Sequence, residues 1–336
     1  MSALVWEGIK EMKMRDFSPP KLEDGWVLLD SRDVGICGSE ISAYLGQNEL
    51  RKPPSIMGHE FSGVIRQVGR GVPESAVGKM VTVNPLVTCG VCRHCRSGNR
   101  QLCNDRKIIG VNFPGAFASQ VAVQYLSCYE VNDSLLGSFA EPLATALRAV
   151  RHSGAIVGGN YLVIGAGTIG LFATKLLQKV GALNIVVSDT NAKRLEWAKK
   201  WGATMVINPI KESLADLIKN SLQDGLDAAI DAVGLQQTRN SAINLVRRGG
   251  SVVFVGLHEN DSTIPGNLIV RNEVSVTGSF CYTDDDFRTA VNLLNNGFIE
   301  ARSGWVDIRP LDQGNEAFME QTTENAPFSK IVLRVQ

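Results

Sequence analysis

The sequence predicts an α/β protein in which an irregular β domain is split around a doubly wound parallel-sheet domain. Three observations point there. Near Tyr161 the rhythm changes from short strands and turns to strand alternating with helix. A glycine-rich turn at 165–170 joins one such strand to its helix. The final apolar run, residues 330–335, reads as a strand returning to the first domain.

In chain order, the runs at 26–30, 61–65 and 80–83 are brief, apolar or β-branched, and punctuated by Gly and Pro. They read as strands of an irregular β region or partial barrel. From Tyr161 the strands fall at 161–164, 184–188, 228–233 and 251–257, with helical patterns at about 170–180, through Trp201, and between the later strands. Uninterrupted apolar strands of this kind are buried on both faces, as in a parallel sheet. The expected division is residues 1–145 and 281–336 for the split domain and 146–280 for the inserted one.

At 336 residues, 44% hydrophobic and 20% charged, the chain suffices for about two domains with full-sized cores. Lys plus Arg number 34 and Asp plus Glu 34, so no overall charge draws it to nucleic acid or to an anionic membrane. Residues 1–7 lack a signal-peptide pattern, and the longest apolar stretch, 161–177, is broken by glycines and Lys175. The expectation is a soluble, cytoplasmic protein with no membrane partner.

Gly165, Gly167 and Gly170, with Thr168 and Ile169 between the last two, form G-x-G-x-x-G directly after a strand and at the start of a helix. Gly165 makes the tight turn, Gly167 lets a pyrophosphate approach the backbone, and Gly170 lets helix and strand pack closely. Asp189, 24 positions after Gly165 and just past the second strand, suits a ribose 2′-hydroxyl and repels a 2′-phosphate, so NAD is expected over NADP. Arg194 is a further cofactor-binding candidate, though with Asp189 in the discriminating position it also reads as a helix-surface residue.

Of seven cysteines, four form C-x2-C-x2-C-x7-C at Cys89, Cys92, Cys95 and Cys103. A short loop carrying four thiolates suits a closed, structural zinc site. An iron–sulfur cluster fits less well, because Cys103 lies eight positions beyond Cys95 and precedes Asn104. Cys37, His59, Glu60 and Glu141 are scattered, and taken alone are as compatible with ordinary buried residues as with an open metal site.

The segment 35–40 around Cys37, the Gly58-His59-Glu60 run, the four-cysteine lobe, the segment 141–144 and the glycine turn occur in one order and at characteristic separations. Together they resemble the zinc-dependent medium-chain dehydrogenase/reductase family, and the resemblance spans essentially the whole chain. It implies a GroES-like catalytic domain split around a Rossmann domain, with the active site in the cleft between them. It further implies a catalytic zinc held by Cys37 and His59, with Glu60 as ligand or close carboxylate, in addition to the structural zinc. Glu141 stands where the alcohol dehydrogenase branch has a second cysteine. A glutamate there resembles the polyol branch, which includes sorbitol, galactitol-phosphate and galactonate dehydrogenases. A carboxylate in place of a thiolate makes a harder, more labile metal centre.

The implied reaction oxidises a secondary hydroxyl of a polyol, sugar alcohol or sugar acid to a ketone by hydride transfer to NAD, with Ser39 and Glu60 in catalytic roles. Threonine, cyclitol or simple alcohol oxidation is the alternative, and a non-catalytic dinucleotide-binding relative the other class. Two departures bear on this. Ser42 replaces a histidine often found five positions after the first ligand cysteine, which routes the proton through Ser39. Arg148 replaces a histidine seven positions after Glu141; it either meets an anionic group or lies on the surface. Val233, Val255, Gly256, Ser279 and Phe280 are expected to line the cofactor groove, because open α/β sheets bind ligands beyond the carboxyl ends of their strands. Self-association into a homodimer or homotetramer is expected through exposed apolar strands near 251–257 and 272–278.

Overall fold

A computed structural model of the chain describes residues 1–323 and 326–335. The chain divides into two compact units, Met1–Glu141 with Thr283–Gln336, and Pro142–Tyr282.

The first unit is built on a seven-stranded sheet. Along it lie, in spatial order, Cys128–Glu130, Met80–Val83, Glu60–Val68, Trp26–Gly35, Lys330–Arg334 and Val306–Pro310, while Gln120–Gln124 pairs separately with Trp26–Gly35. A three-stranded sheet of Glu11–Asp16, Ser2–Gly8 and Ser55–Ile56 stands beside it. The C-terminal strand is a central member. It runs antiparallel to Trp26–Gly35, with Val332 opposite Gly35, and parallel to Val306–Pro310.

Val27, Leu29 and Val34 of one strand and Ile331 and Leu333 of another are fully buried in one core with Leu4, Phe61, Phe117 and Phe318. Phe117 and Phe318 meet edge-on at 5.8 Å. Each such aliphatic side chain contributes about 1.5–3 kcal/mol by leaving water, so the last strand is part of the reason this unit folds. The four-cysteine segment is an excursion from the unit. Its base is closed by a two-residue ladder in which Leu86 faces Ile108 and Val87 faces Lys107.

The second unit is a six-stranded, wholly parallel sheet. Its order is Met205–Ile207, Asn184–Ser188, Asn160–Ile164, Leu226–Asp231, Val246–Phe254, Ser275–Gly278. In chain order that is 3-2-1-4-5-6, the doubly wound arrangement whose direction of winding reverses between Asn160–Ile164 and Leu226–Asp231. Leu162, Val163, Val186, Val187, Ala229 and Ile230 are buried, as strands covered on both faces require.

One expectation is corrected here. The run at 251–257 does not lie at a sheet edge, because Val246–Phe254 is hydrogen-bonded on both sides. Only Ser275–Gly278 ends the sheet on that side. Among the described residues no helix is long and apolar enough to cross a membrane.

Candidate active site

Cys37 follows the strand Trp26–Gly35 and stands at the N-cap of the helix Gly38–Tyr44. His59 and Glu60 sit where the strand Glu60–Val68 begins. The antiparallel register pairs Gly35 with Glu60, which carries Cys37 to the two later residues. Donor atoms of Cys37, His59 and Glu60 all lie within 4.8 Å of one another. Ser39 Oγ donates to Cys37 Sγ at 3.4 Å. Glu141 opens the helix Ala140–His152 and is not among these three gathered donors.

Glu40, three positions after Cys37, organises the group. It is fully buried. Its Oε2 accepts the Cys37 N–H at 3.0 Å, and its Oε1 accepts the Gly58 N–H and the His59 Nδ1–H, each at 2.8 Å. With Nδ1 so engaged, His59 keeps Nε2 for a metal, the orientation that carboxylate-backed histidine ligands adopt. Burial alone raises the Glu40 pKa, but His59 and the Arg51 guanidinium outweigh it and bring it down to about 2. Arg51 itself donates to the carbonyls of Ser39 at 3.3 Å and Gly110 at 3.4 Å. Burial likewise opposes charge on His59, yet facing Glu40 and Cys37 holds its pKa well above the ordinary value. A thiol, an imidazole and a carboxylate with donor atoms within 4.8 Å of one another form a set that a divalent cation fits.

Glu60 has a second fixed partner. Lys330 Nζ is paired with Glu60 Oε2 and donates to the Ile36 carbonyl at 2.9 Å. Gly35 makes room for this pair, since a Cβ there would lie 2.6 Å from Lys330 Cε and 2.7 Å from Glu60 Oε2. Glu40 was readable in outline, because a glutamate three positions after the N-cap has capping-box spacing. Lys330 carried no signal at 270 positions from its partner.

In the lobe, Cys89, Cys92, Cys95 and Cys103 also bring their sulfurs within 4.8 Å of one another. Sγ–Sγ separations are 3.9 Å for Cys89–Cys95, 3.5 Å for Cys92–Cys95 and 3.5 Å for Cys89–Cys103. Four sulfurs about 2.3 Å from one tetrahedral ion stand about 3.8 Å apart, so the spacing fits a closed zinc site and is far too long for disulfides. The backbone N–H groups of Val91 and Cys92 point at the Cys89 sulfur and lower its pKa to about 7. At Cys103 the Cys89 N–H acts in the same direction, but burial and the adjacent Cys89 sulfur outweigh it and push the pKa up to about 11. Arg100 ties the lobe down by donating to Thr88 Oγ1 at 3.0 Å, the Leu86 carbonyl at 3.2 Å and Asp284 at 3.2 Å.

The second unit carries the glycine turn. Gly165 has φ +95°, and a Cβ there would lie 2.7 Å from Val233 Cγ2. A Cβ on Gly170 would lie 1.7 Å from the Gly165 carbonyl oxygen, so neither position admits a side chain without movement. The space above Gly167, the N-cap of the helix Thr168–Val180, is open. Thr168 and Ile169 begin that helix, whose N-terminal end suits an anion.

Asp189 accepts the Ala166 N–H at 2.6 Å and the Asn191 N–H at 2.7 Å, which fastens the turn to the end of the second strand. Arg194 lies in the first turn of the helix Ala192–Lys200, half-buried and with Nε unpartnered. Val255 and Gly256 donate to the Asp231 carbonyl at 2.9 and 3.0 Å, while Val233 donates to Asp231 Oδ1 at 2.9 Å. Ser279, followed by Phe280, donates its N–H to Phe254 but leaves a buried Oγ without a partner. The structure thus gathers the glycine turn with Val233, Gly256 and Asp189 at the carboxyl ends of the strands, where an open α/β sheet binds a dinucleotide.

Two family models match the chain. Residues 168–296 match the model of the zinc-binding dehydrogenases, and residues 23–133 that of the alcohol dehydrogenase GroES-like domain. The chain is 31% identical over 332 residues to D-xylulose reductase A of Aspergillus oryzae, covering 95% of this chain and 92% of that one. Galactitol-1-phosphate dehydrogenase of Escherichia coli superposes with a TM-score of 0.91 at 25% identity, over 99% of this chain and 100% of that one. An E. coli CFT073 alcohol dehydrogenase solved with NADH superposes with a TM-score of 0.93 at 26% identity, over 99% of both chains.

Proposed function

The chain belongs to the zinc-binding dehydrogenase family, and on that premise we propose that it oxidises a secondary hydroxyl of a polyol, sugar alcohol or sugar acid to a ketone. The observation that carries this reading is the convergence of Cys37, His59 and Glu60, with Glu40 fixing the imidazole. The similarity to a D-xylulose reductase and a galactitol-1-phosphate dehydrogenase supports the substrate class.

When bound, the zinc ion supplies a Lewis acid for the substrate hydroxyl, and NAD supplies the hydride acceptor. Cys37, His59 and Glu60 are the residues that hold the catalytic ion, with Glu141 as a further candidate. The second ion belongs to the four cysteines and has structural work only. Ser39 Oγ, beside the Cys37 sulfur, takes the hydroxyl proton and passes it to water or to the cofactor ribose. With NAD bound, the carbon would pass its hydride to it, and the products would be ketone, NADH and one proton.

Gly165, Gly167 and Gly170, with Thr168 and Ile169, receive the pyrophosphate. Asp189 and Arg194 take the adenosine ribose, with the Asp189 carboxylate disfavouring a 2′-phosphate. Val233, Val255, Gly256, Ser279 and Phe280 line the rest of the cofactor site. We further propose a cytoplasmic homodimer or homotetramer joined along the sheet edge Ser275–Gly278.

A substrate panel tests the function. NAD and NADP reduction are followed with sugar alcohols, their phosphates, aldonates, inositols, threonine and simple alcohols. Turnover of the polyol group with NAD is expected. Turnover confined to threonine or simple alcohols would refute the substrate class, and a preference for NADP would refute the role of Asp189.

A further inference from the structure

The stretch 255–265 joins the strand Val246–Phe254 to the helix Gly266–Asn272 without regular structure of its own. It begins with Val255 and Gly256, both assigned to the cofactor site. Residues 257–261 are all exposed, so burial does little to hold them. Polar contacts hold the stretch instead, and three of them come from one side chain on the helix Gln236–Leu245. Arg239 donates through Nη1 to Ser262 Oγ at 2.6 Å, and through Nη2 to the Glu259 carbonyl at 2.9 Å and the Gly256 carbonyl at 3.5 Å. One planar fork thus reaches the start, the middle and the end of the stretch, which a single ammonium group cannot repeat.

The neighbouring turn adds a second tie. Gln236 donates its backbone N–H to Glu259 Oε2 at 2.5 Å and accepts the Thr263 N–H at 2.9 Å, while the Glu259 N–H reaches the Gly234 carbonyl at 2.9 Å. Beneath these contacts the two backbones touch, since a Cβ on Gly256 would lie 2.1 Å from the Val233 carbonyl carbon. Strand order gives the stretch its place in the site. Asp189 follows Asn184–Ser188 on one side of Asn160–Ile164, and Val255 follows Val246–Phe254 on the other side. A dinucleotide with its adenosine at Asp189 therefore brings its nicotinamide half toward 255–262.

We propose that Arg239 is a positioning residue that holds 256–262 in place before the cofactor arrives, so that the nicotinamide half of NAD meets a preformed wall. Without that fork the stretch samples other arrangements and NAD has to gather it, which weakens binding in proportion to the molecules in which it is out of place. AMP lacks the nicotinamide half and bears no such cost. The inference rests on the cofactor-site reading above and adds to it the residue that prepares one half of the site.

Titration calorimetry with NAD and with AMP, on wild type, Arg239→Met and Arg239→Lys, tests this without turnover. Arg239→Met should weaken NAD by about tenfold, the factor for a stretch in place in about one molecule in ten, and leave AMP binding as it is. Arg239→Lys should weaken NAD as well, because it keeps the charge and loses the fork. Unchanged NAD binding in Arg239→Met, or equal weakening of NAD and AMP, would overturn the proposal. So would wild-type NAD affinity in Arg239→Lys, which would assign Arg239 to attraction of the anionic cofactor.

Should Arg239→Met fail to fold, hydrogen exchange on cofactor-free wild type decides. The Glu259 and Thr263 N–H groups are expected to be protected before NAD is added, and fast exchange that slows only with NAD overturns the proposal. Asp189→Ala separates the two levels of inference. It should weaken NAD and AMP together, and if it weakens neither, the cofactor-site reading itself has failed.

Discussion

At the scale of single residues, the unexpected centre of the site is Glu40. One side chain satisfies the N-cap N–H of Cys37, the Gly58 N–H and the His59 ring, so it fixes two candidate ligands at once. Glu40→Gln keeps the shape but removes the charge, and an amide presents the wrong atom to at least one of these three donors. Metal affinity at the Cys37–His59–Glu60 centre should fall by about 10–100-fold, measured by competition with a chromogenic chelator, while the zinc of the lobe stays.

The same residue gives a pH signature in metal-free protein. Its folded-state pKa of about 2 lies below the ordinary 4.5, so its stabilisation is complete above pH 4.5 and is lost as the pH falls toward 2. The thermal midpoint of wild type should therefore converge on that of Glu40→Gln across this window. A constant gap down to the lowest pH would count against it.

Among secondary-structure elements, the lobe and the glycine turn show how little regular structure a site needs when glycine or metal replaces it. The lobe has a four-residue helix, Arg93–Arg96, and a two-residue ladder at its base. Hydrophobic burial holds little of it, and Val91 and Leu102 are exposed. Its shape depends on the four sulfurs and on the Arg100 contacts with Leu86, Thr88 and Asp284. Cys92→Ser should cost one zinc per chain and lower soluble yield and thermal midpoint, as loss of a structural metal does. A variant of normal stability with one zinc fewer would show that the ion has no structural work. Of the lobe's content, the ligand identities were legible because their spacing is local. The Arg100–Asp284 tie was not, because its partners are 184 positions apart.

For the whole molecule, the order of the chain matters as much as its composition. The first unit is completed only when residues 330–334 insert between Trp26–Gly35 and Val306–Pro310. That strand buries Ile331, Val332 and Leu333 and also delivers Lys330 to Glu60. Deleting residues 330–336 should therefore unfold the first unit and release zinc, whereas the parallel sheet of Pro142–Tyr282 includes no strand from that segment. Zinc content by elemental analysis should collapse while NAD still quenches tryptophan fluorescence. Simultaneous loss of both would mean that the second unit does not stand without the first.

The sequence by itself determined what depends on neighbours within a few residues. Those are the G-x-G-x-x-G turn and the four-cysteine spacing, each contained in a few residues, and the apolar runs that become parallel strands. Cys37, His59 and Glu60 were candidates by resemblance alone, since nothing in their immediate surroundings distinguishes them from ordinary buried residues. Tertiary structure decided which of them meet, through the register that sets Gly35 opposite Glu60. It also decided which charges stand behind them, Glu40 and Arg51 at His59 and Lys330 at Glu60. It set Val246–Phe254 between two neighbouring strands, where an exposed strand open to a second subunit was expected. The physical reason is common to these cases: charge compensation and strand pairing act through space, and the energies that select the partners reach across any separation along the chain.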